Sequence, residues 1–229
     1  MRVGSNLILK DGFVCQSHNW GLYRKIGTLQ TSLNALSRYR IDEINIISLS
    51  YQKNEDLIND IKILTNCFCP TPITFGGGIN TENYKILLKE LPAERYSFCS
   101  SLVENQVKPI EEIMSVLGRQ SIIGVMPLKI CRGEIRLFNP KAGLFTPLTD
   151  EISSSYEEFC DEIVIYDVSS DGLKSGFNFK LLENIPFRSE KIILSGGIIN
   201  SDISIAQEIG CSAVYVDNSV LHYENGKFR

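Results

Sequence analysis

The feature that most constrains the fold is a pattern that occurs twice. Ile73-Thr74-Phe75-Gly76-Gly77-Gly78-Ile79 is a short apolar run that stops on glycines and leads into Asn80-Thr81-Glu82. Ile192-Ile193-Leu194-Ser195-Gly196-Gly197-Ile198 has the same form and leads into Asn200-Ser201-Asp202. Upstream, Asp42-Glu43-Ile44 recurs as Asp161-Glu162-Ile163, and both landmarks return after the same 119 residues. Two landmarks at one separation mark a duplicated half.

Each copy reads as a buried strand, a tight glycine turn and a helix start. The strands Asn6–Leu9, Ile44–Leu49, Ile73–Phe75, Tyr96–Cys99, Ile122–Val125, Ile163–Tyr166, Ile192–Leu194 and Ala213–Val216 alternate with apolar stripes of helical spacing. The helices are expected over Thr31–Tyr39, Asp56–Leu64, Glu82–Lys89, Pro109–Leu117, Ser153–Phe159, Phe179–Asn184 and Ile203–Ile209. His18 to Gly27 is polar and aromatic without periodicity and reads as a loop. Pro127 to Pro147 is irregular, with a small hairpin expected over 131–137. About eight strands alternating with helices in two similar halves predict a (β/α)8 barrel, one domain over residues 1–229. An open doubly wound sheet is the alternative.

A hydrophobic content of 43 % suits a globular core, and a net charge of −4 without a basic block argues against nucleic acid. No apolar run approaches a membrane span and no signal peptide is visible, so a cytoplasmic protein is expected. Seven cysteines without a framework fit reduced thiols. Cys67 and Cys69 form the only close pair, with no second pair to complete a zinc site. His18 and His222 have no partners at catalytic or metal spacing. Neither a metal nor a cofactor is expected.

In a barrel of this kind the working face lies at the C-terminal ends of the strands. There stand Gly76, Gly77 and Gly78, Cys99 and Ser100, Asp171 and Gly172, Gly196 and Gly197, and Asn218 and Ser219. Adjacent backbone N–H groups at such turns suit a phosphate. The repeat would then supply two phosphate cradles across one mouth, fitting a ligand phosphorylated at both ends. The alternative is that these glycines only let helices pack closely.

Leu9-Lys10-Asp11-Gly12, Thr74-Phe75-Gly76-Gly77-Gly78-Ile79, Val103-Glu104-Asn105, Ser170-Asp171-Gly172-Leu173-Lys174-Ser175-Gly176 and Ser195-Gly196-Gly197 follow one another as in the histidine-biosynthesis barrels. The whole chain resembles the cyclase subunit of imidazole glycerol phosphate synthase. Its opening is similar to a divergent branch found with surface-polysaccharide amidotransferases. The resemblance implies a glutaminase partner, ammonia delivered along the barrel axis and a phosphorylated small-molecule ligand. The family's acid–base aspartates fall on Ile8 and Met126, its lysine after the first strand on Gln16, and the aspartate ending its second strand on Ser48. Loss of one positioned acid or base costs a factor of ~10²–10⁴ in rate. Asp171 does match, as a surviving carboxylate near the ligand or as an Asp-Gly turn.

The resemblance also places a charged ring, the family's ammonia gate, on Arg2, Glu43, Arg95 and Glu162. Three functions are therefore weighed: a cyclase-like barrel that docks a glutaminase and conducts ammonia, a genuine cyclase with relocated acid–base groups, and a non-catalytic phosphate-ligand-binding or scaffold protein.

Overall fold

The computed structural model describes residues 1–18, 20–50, 54–91, 93–139, 142–183 and 185–216. In chain order it begins with β1 (Arg2–Lys10), β2 (Phe13–His18), β3 (Leu22–Thr28), α1 (Leu29–Arg38), β4 (Glu43–Ser48) and α2 (Asn54–Thr65). Next come β5 (Ile73–Gly76), α3 (Tyr84–Glu90), β6 (Arg95–Phe98), α4 (Ser100–Val103) and α5 (Lys108–Leu117). The rest is β7 (Ile122–Cys131), β8 (Glu134–Asn139), β9 (Leu144–Pro147), α6 (Asp150–Phe159), β10 (Glu162–Asp167), β11 (Ile192–Ser195), α7 (Asn200–Ile209) and β12 (Ala213–Tyr215).

Eight of these strands close on themselves. The parallel order β1-β4-β5-β6-β7-β10-β11-β12 returns to β1 through Arg2↔Ala213 and Gly4↔Tyr215. The expected (β/α)8 barrel is the fold, and the open sheet is excluded. Closure leaves no unpaired edge in the parallel sheet.

The pleat sorts side chains into two layers, because successive residues of a strand face opposite sides. Ile122, Met126, Ile163, Ile165, Ile192, Leu194 and Val214 face outward and pack with helix residues such as Leu33, Leu57, Leu87, Ile113 and Tyr156. Ile123, Val125, Val164, Ile193, Ala213 and Tyr215 face inward and fill the barrel.

The duplication is visible in the backbone. Gly77 and Gly196 share φ 94°, and the following Gly78 and Gly197 have φ 68° and 70°. A Cβ on Gly77 would stand 1.9 Å from the Ser48 carbonyl oxygen, and one on Gly196 would stand 2.4 Å from that of Asp167. Even the helix entries match: Asn80 N–H donates to Asn83 Oδ1 at 2.9 Å, and Ile199 N–H donates to Asp202 Oδ2 at 3.0 Å.

Two expectations fail. Within the stretch 18–27, residues 22–27 are not a loop but lie in β3, which pairs antiparallel with β2. Its signal is missing because β3 has no buried residue, so no alternation marks it. The helix expected over 179–184 is only a short 3-10 turn, Phe179–Leu182. Pro186 disfavours helical backbone at the residue before it, which limits the segment. The hairpin expected at 131–137 is present: β7 runs on to Cys131, turns at Arg132 and Gly133, both at positive φ, and pairs with β8. β9 then extends it.

Candidate functional site at the two ends of the barrel

At the N-terminal ends of the strands the sequence brings four charges to one point. Arg2 donates from Nε to Glu43 Oε2 at 3.0 Å and from Nη2 to both oxygens of Glu162 at 2.7 Å. Arg95 donates from Nη1 to Glu162 Oε2 at 2.6 Å and from Nη2 to Glu43 Oε2. Each arginine thus bridges both glutamates, which are the repeat mates. Glu43 is the most buried member and Arg2 the most exposed.

Burial alone would raise the Glu162 carboxyl. The hydrogen bonds from Arg2 and Ser212, with the charges of Arg2 and Arg95, outweigh it and hold that group below its usual value. Burial would lower Arg2 and Arg95 in turn, but the two carboxylates raise both.

Just inside the ring, Gly4 makes room for Tyr215. A Cβ there would lie 2.7 Å from the Tyr215 ring and 2.9 Å from Glu43 Cγ. Burial and the neighbouring Glu43 charge push the Tyr215 phenol well above its usual value. The two are neighbours that fall short of a hydrogen bond, since Glu43 Oε1 and Tyr215 Oη are both buried without a partner. Further up, a polar chain crosses the interior. Ser97 donates to Asn45 at 3.1 Å, Asn45 to Asn6 at 2.8 Å, and Asn6 to Ser195 at 2.7 Å.

At the other end, a cavity of about 450 Å³ opens between the strand ends and the β2–β3 hairpin. Gly77, Gly78, Cys99 and Ser100 line one side of it. Gly172, Gly196 and Gly197 do not. Gly172 instead lies under the hairpin, where a Cβ would stand 2.6 Å from the Ser17 carbonyl oxygen. Gly76, one residue below the cavity, packs so closely on Ser97 that a Cβ would overlap its hydroxyl. Asn218, Ser219 and His222 lie outside the described residues. The cavity therefore reaches the first cradle and not the described part of the second.

The positions on which the resemblance places the family's acid–base pair are apolar here. Ile8 lines the cavity. Met126 does not: it is fully buried on the outer face of β7, against the helices. The inward positions at that level are Val125, which lines the cavity, and Pro127, which pairs with Tyr166 as Ile8 pairs with Ile47. The one-residue offset in the sequence reading arises because β7 is buried on both faces, so its pleat leaves no polar alternation. Neither Val125 nor Pro127 can move a proton. Gln16 sits on β2 and does not line the cavity, while Ser48 does. Ser48 donates to the buried Asp60 at 2.8 Å.

Asp171 lies on the cavity wall, 3 % exposed, with both oxygens engaged. Oδ2 accepts from the Ser17 hydroxyl at 2.6 Å and the Trp20 N–H at 2.9 Å, and Oδ1 accepts from the Tyr166 hydroxyl at 2.5 Å. It pins the β2–β3 hairpin to the barrel. Cys99 offers no ready thiolate, because burial pushes it up to about 12. Lys10 lies 5.3 Å from the Tyr23 ring centroid and outside the cavity lining.

Sequence reasoning missed the aromatic wall. Trp20 makes edge contacts with Tyr166 at 5.1 Å and Phe138 at 5.5 Å. Trp20 is the chain's only tryptophan, and its place in an aperiodic segment after the first strand was the available signal.

The chain matches the histidine biosynthesis protein family over residues 9–227. It belongs to that family. Relatives named "Putative imidazole glycerol phosphate synthase subunit hisF2" come from Parasynechococcus marenigrum and Vibrio vulnificus. The first is 32 % identical over 207 residues, covering 86 % of this chain and 75 % of the relative. The second is 28 % identical over 232 residues, covering 96 % and 82 %. The imidazole glycerol phosphate synthase subunit HisF of Dictyoglomus thermophilum is 31 % identical over 231 residues, covering 96 % and 86 %. The barrel and the family thus agree. Among the described residues, no helix is long and apolar enough to cross a membrane and no cluster could hold a metal ion.

Proposed function

We propose that this barrel is a cyclase-subunit-like member of the family that docks a glutaminase on its floor and conducts ammonia along its axis. The observation that carries this reading is the closed ring of Arg2, Glu43, Arg95 and Glu162 beneath a polar interior. Ammonia is small and hydrogen-bonding, and it must be kept from bulk water to arrive unprotonated. A closed barrel supplies that isolation. Glu43 Oε1, in the ring, and the neighbouring Tyr215 Oη are buried without a partner, and the hydrogen-bonded chain from Ser195 through Asn6 and Asn45 to Ser97 forms a polar layer across the interior. A partner is further supported by apolar side chains exposed where elements end around the floor: Met1, Phe68, Val116, Leu117 and Ile209.

At the mouth, the cavity holds a phosphorylated ligand by the turn at Gly77 and Gly78. Among the described residues the carboxylates that line it are Glu104 and Asp171, the latter serving as a pin, and neither stands where the resemblance places the family's acid–base pair. The ammonia acceptor is then a substrate other than the ordinary ring-closure substrate, as the likeness to amidotransferase barrels suggests.

The test is glutamine-dependent ammonia transfer in a complex reconstituted with the glutaminase, comparing the native chain with Arg2→Ala, Glu43→Gln and the double variant. Transfer should fall or uncouple from glutamine hydrolysis, non-additively in the double variant. Unchanged transfer with lowered folding stability would make the ring a structural plug and overturn the reading.

A further inference from the structure

We infer that Tyr215 and Glu43 form a holding site for one molecule of neutral ammonia just inside the charged ring, and that this site rejects the ammonium ion. This rests on the reading of the barrel axis as an ammonia path and names the residues that select the species carried.

Gly4 stands between the two side chains in the sheet, paired with Tyr215 of β12 on one side and with Glu43 of β4 on the other. Both flank the space that a side chain at position 4 would fill. Tyr215 is 1 % exposed and Glu43 is 3 % exposed. Glu43 gives only one oxygen to the ring, since Oε2 accepts from both Arg2 and Arg95. Glu162, by contrast, has both oxygens engaged by arginine. Glu43 Oε1 and Tyr215 Oη have no partner among the described residues. Buried polar atoms are nearly always hydrogen-bonded, so two neighbours that are not point to a small guest between them. The rest of that level is apolar: Ile123, Val125, Val164, Ile193 and Ala213 pack with Tyr215 inside the barrel.

The chemistry of the pair selects the guest. A phenol donates one proton and can accept, whereas a carboxylate only accepts. Burial and the Glu43 charge hold the phenol well above its usual value, so it keeps its proton in alkaline solution. Ammonia matches both groups: its lone pair takes the phenolic proton and one of its N–H groups donates to Oε1. Water has the same two functions, but its oxygen is the weaker acceptor and it gives up more on leaving bulk water. The ammonium ion has no lone pair, so the phenol would have to turn its O–H toward the apolar wall. It would also place a third cation beside Arg2 and Arg95, whose charges Glu43 and Glu162 already balance. Taking an ion out of water into such surroundings is costly unless it finds its own counter-charge. Ammonia held here stays in the unprotonated form that can act as a nucleophile.

The experiment is carbon NMR of the isolated chain labelled at tyrosine Cζ, whose shift senses hydrogen bonding at the phenol. Tyr215→Phe identifies the Tyr215 resonance by its loss, and Glu43→Gln identifies it a second time by moving it. Circular dichroism shows that each variant folds. Ammonium chloride is added at constant ionic strength, in neutral buffer and again in alkaline buffer, where free ammonia is a far larger share. Potassium chloride is the control. The Tyr215 resonance should shift, and the curves at the two pH values should superimpose when plotted against free ammonia. Plotted against total ammonium, they should stand well apart. A shift that follows total ammonium, or that potassium reproduces, would make this a cation site and overturn the inference. No shift at molar ammonium in alkaline buffer would mean that water, or the two groups themselves, satisfy the pair, and would overturn it as well. No glutaminase is present, so either failure is separate from failure of the conduction reading. That reading falls only if ring variants transfer ammonia normally.

Discussion

The two ends of this barrel are built on different principles. At the floor, four charged side chains from β1, β4, β6 and β10 neutralise one another in a closed ring. At the mouth, the strand ends present isoleucine, valine and proline, and the nearest matching carboxylate is tied up holding a hairpin. Both ends hang from one scaffold with the same backbone repeat. A duplicated barrel can therefore keep one end and rebuild the other, because side chains at the two ends of a strand share almost no contacts.

The comparison can be broken most severely on the wall of the mouth. Met126→Asp should cost roughly 4–5 kcal/mol or prevent folding, since it puts a carboxylate without a partner among the outer-core residues. Val125→Asp, one residue earlier, faces the cavity and should cost much less. Urea unfolding of the pair checks this, and equal losses would refute the assigned pleat. Next in size is the floor. Glu43→Ala leaves Arg95 and Arg2 with one carboxylate between them and should cost about 3–5 kcal/mol by the same measurement.

Asp171→Ala should be milder, about 2–3 kcal/mol: each hydrogen bond to a charged group contributes roughly 1.5–3 kcal/mol, but the three here share one carboxylate and do not add, and the released hairpin groups can rehydrate. Its distinguishing sign is local. Trp20 fluorescence should shift toward that of an exposed indole and amide exchange in β2 and β3 should quicken, while the barrel strands stay protected. The smallest effect is the response to acid. The Glu162 carboxyl is held below its unfolded value, so its contribution is fully present above the unfolded carboxylate range near pH ~4.3 and is lost as pH falls through the lower folded value. The stability difference between the native chain and Glu162→Gln should accordingly hold from neutral pH to about pH 5 and shrink below about pH 4. A difference that grew in acid would contradict the ring.

Much of the fold was legible because its rules are local. The glycine turns at 77 and 196, and the Asp-Glu pairs at 42 and 161, repeat in sequence what they repeat in space. What stayed hidden depended on packing. β3 has no fully buried residue, so it left no alternation. β7 is buried on both faces, so its pleat left no mark in the sequence, and the position the resemblance gives the second aspartate, Met126, proves to face outward. The wall of the cavity joins Trp20, Phe138 and Tyr166, which are far apart in the chain and meet only when two hairpins fold over the mouth. That Gly196 and Gly197 stand off the cavity was likewise a tertiary fact with no local sign.

The central proposal is that the mouth lacks the acid–base pair that the resemblance implies, while the floor carries the charged ring that it implies. The most direct test is ring closure with the family's bis-phosphorylated ribonucleotide and an ammonium salt, which bypasses any glutaminase. The account predicts no turnover above the uncatalysed rate, even at saturating ammonium. Turnover near that of an ordinary cyclase would contradict it, and would mean that acid–base groups have been relocated around Asp171.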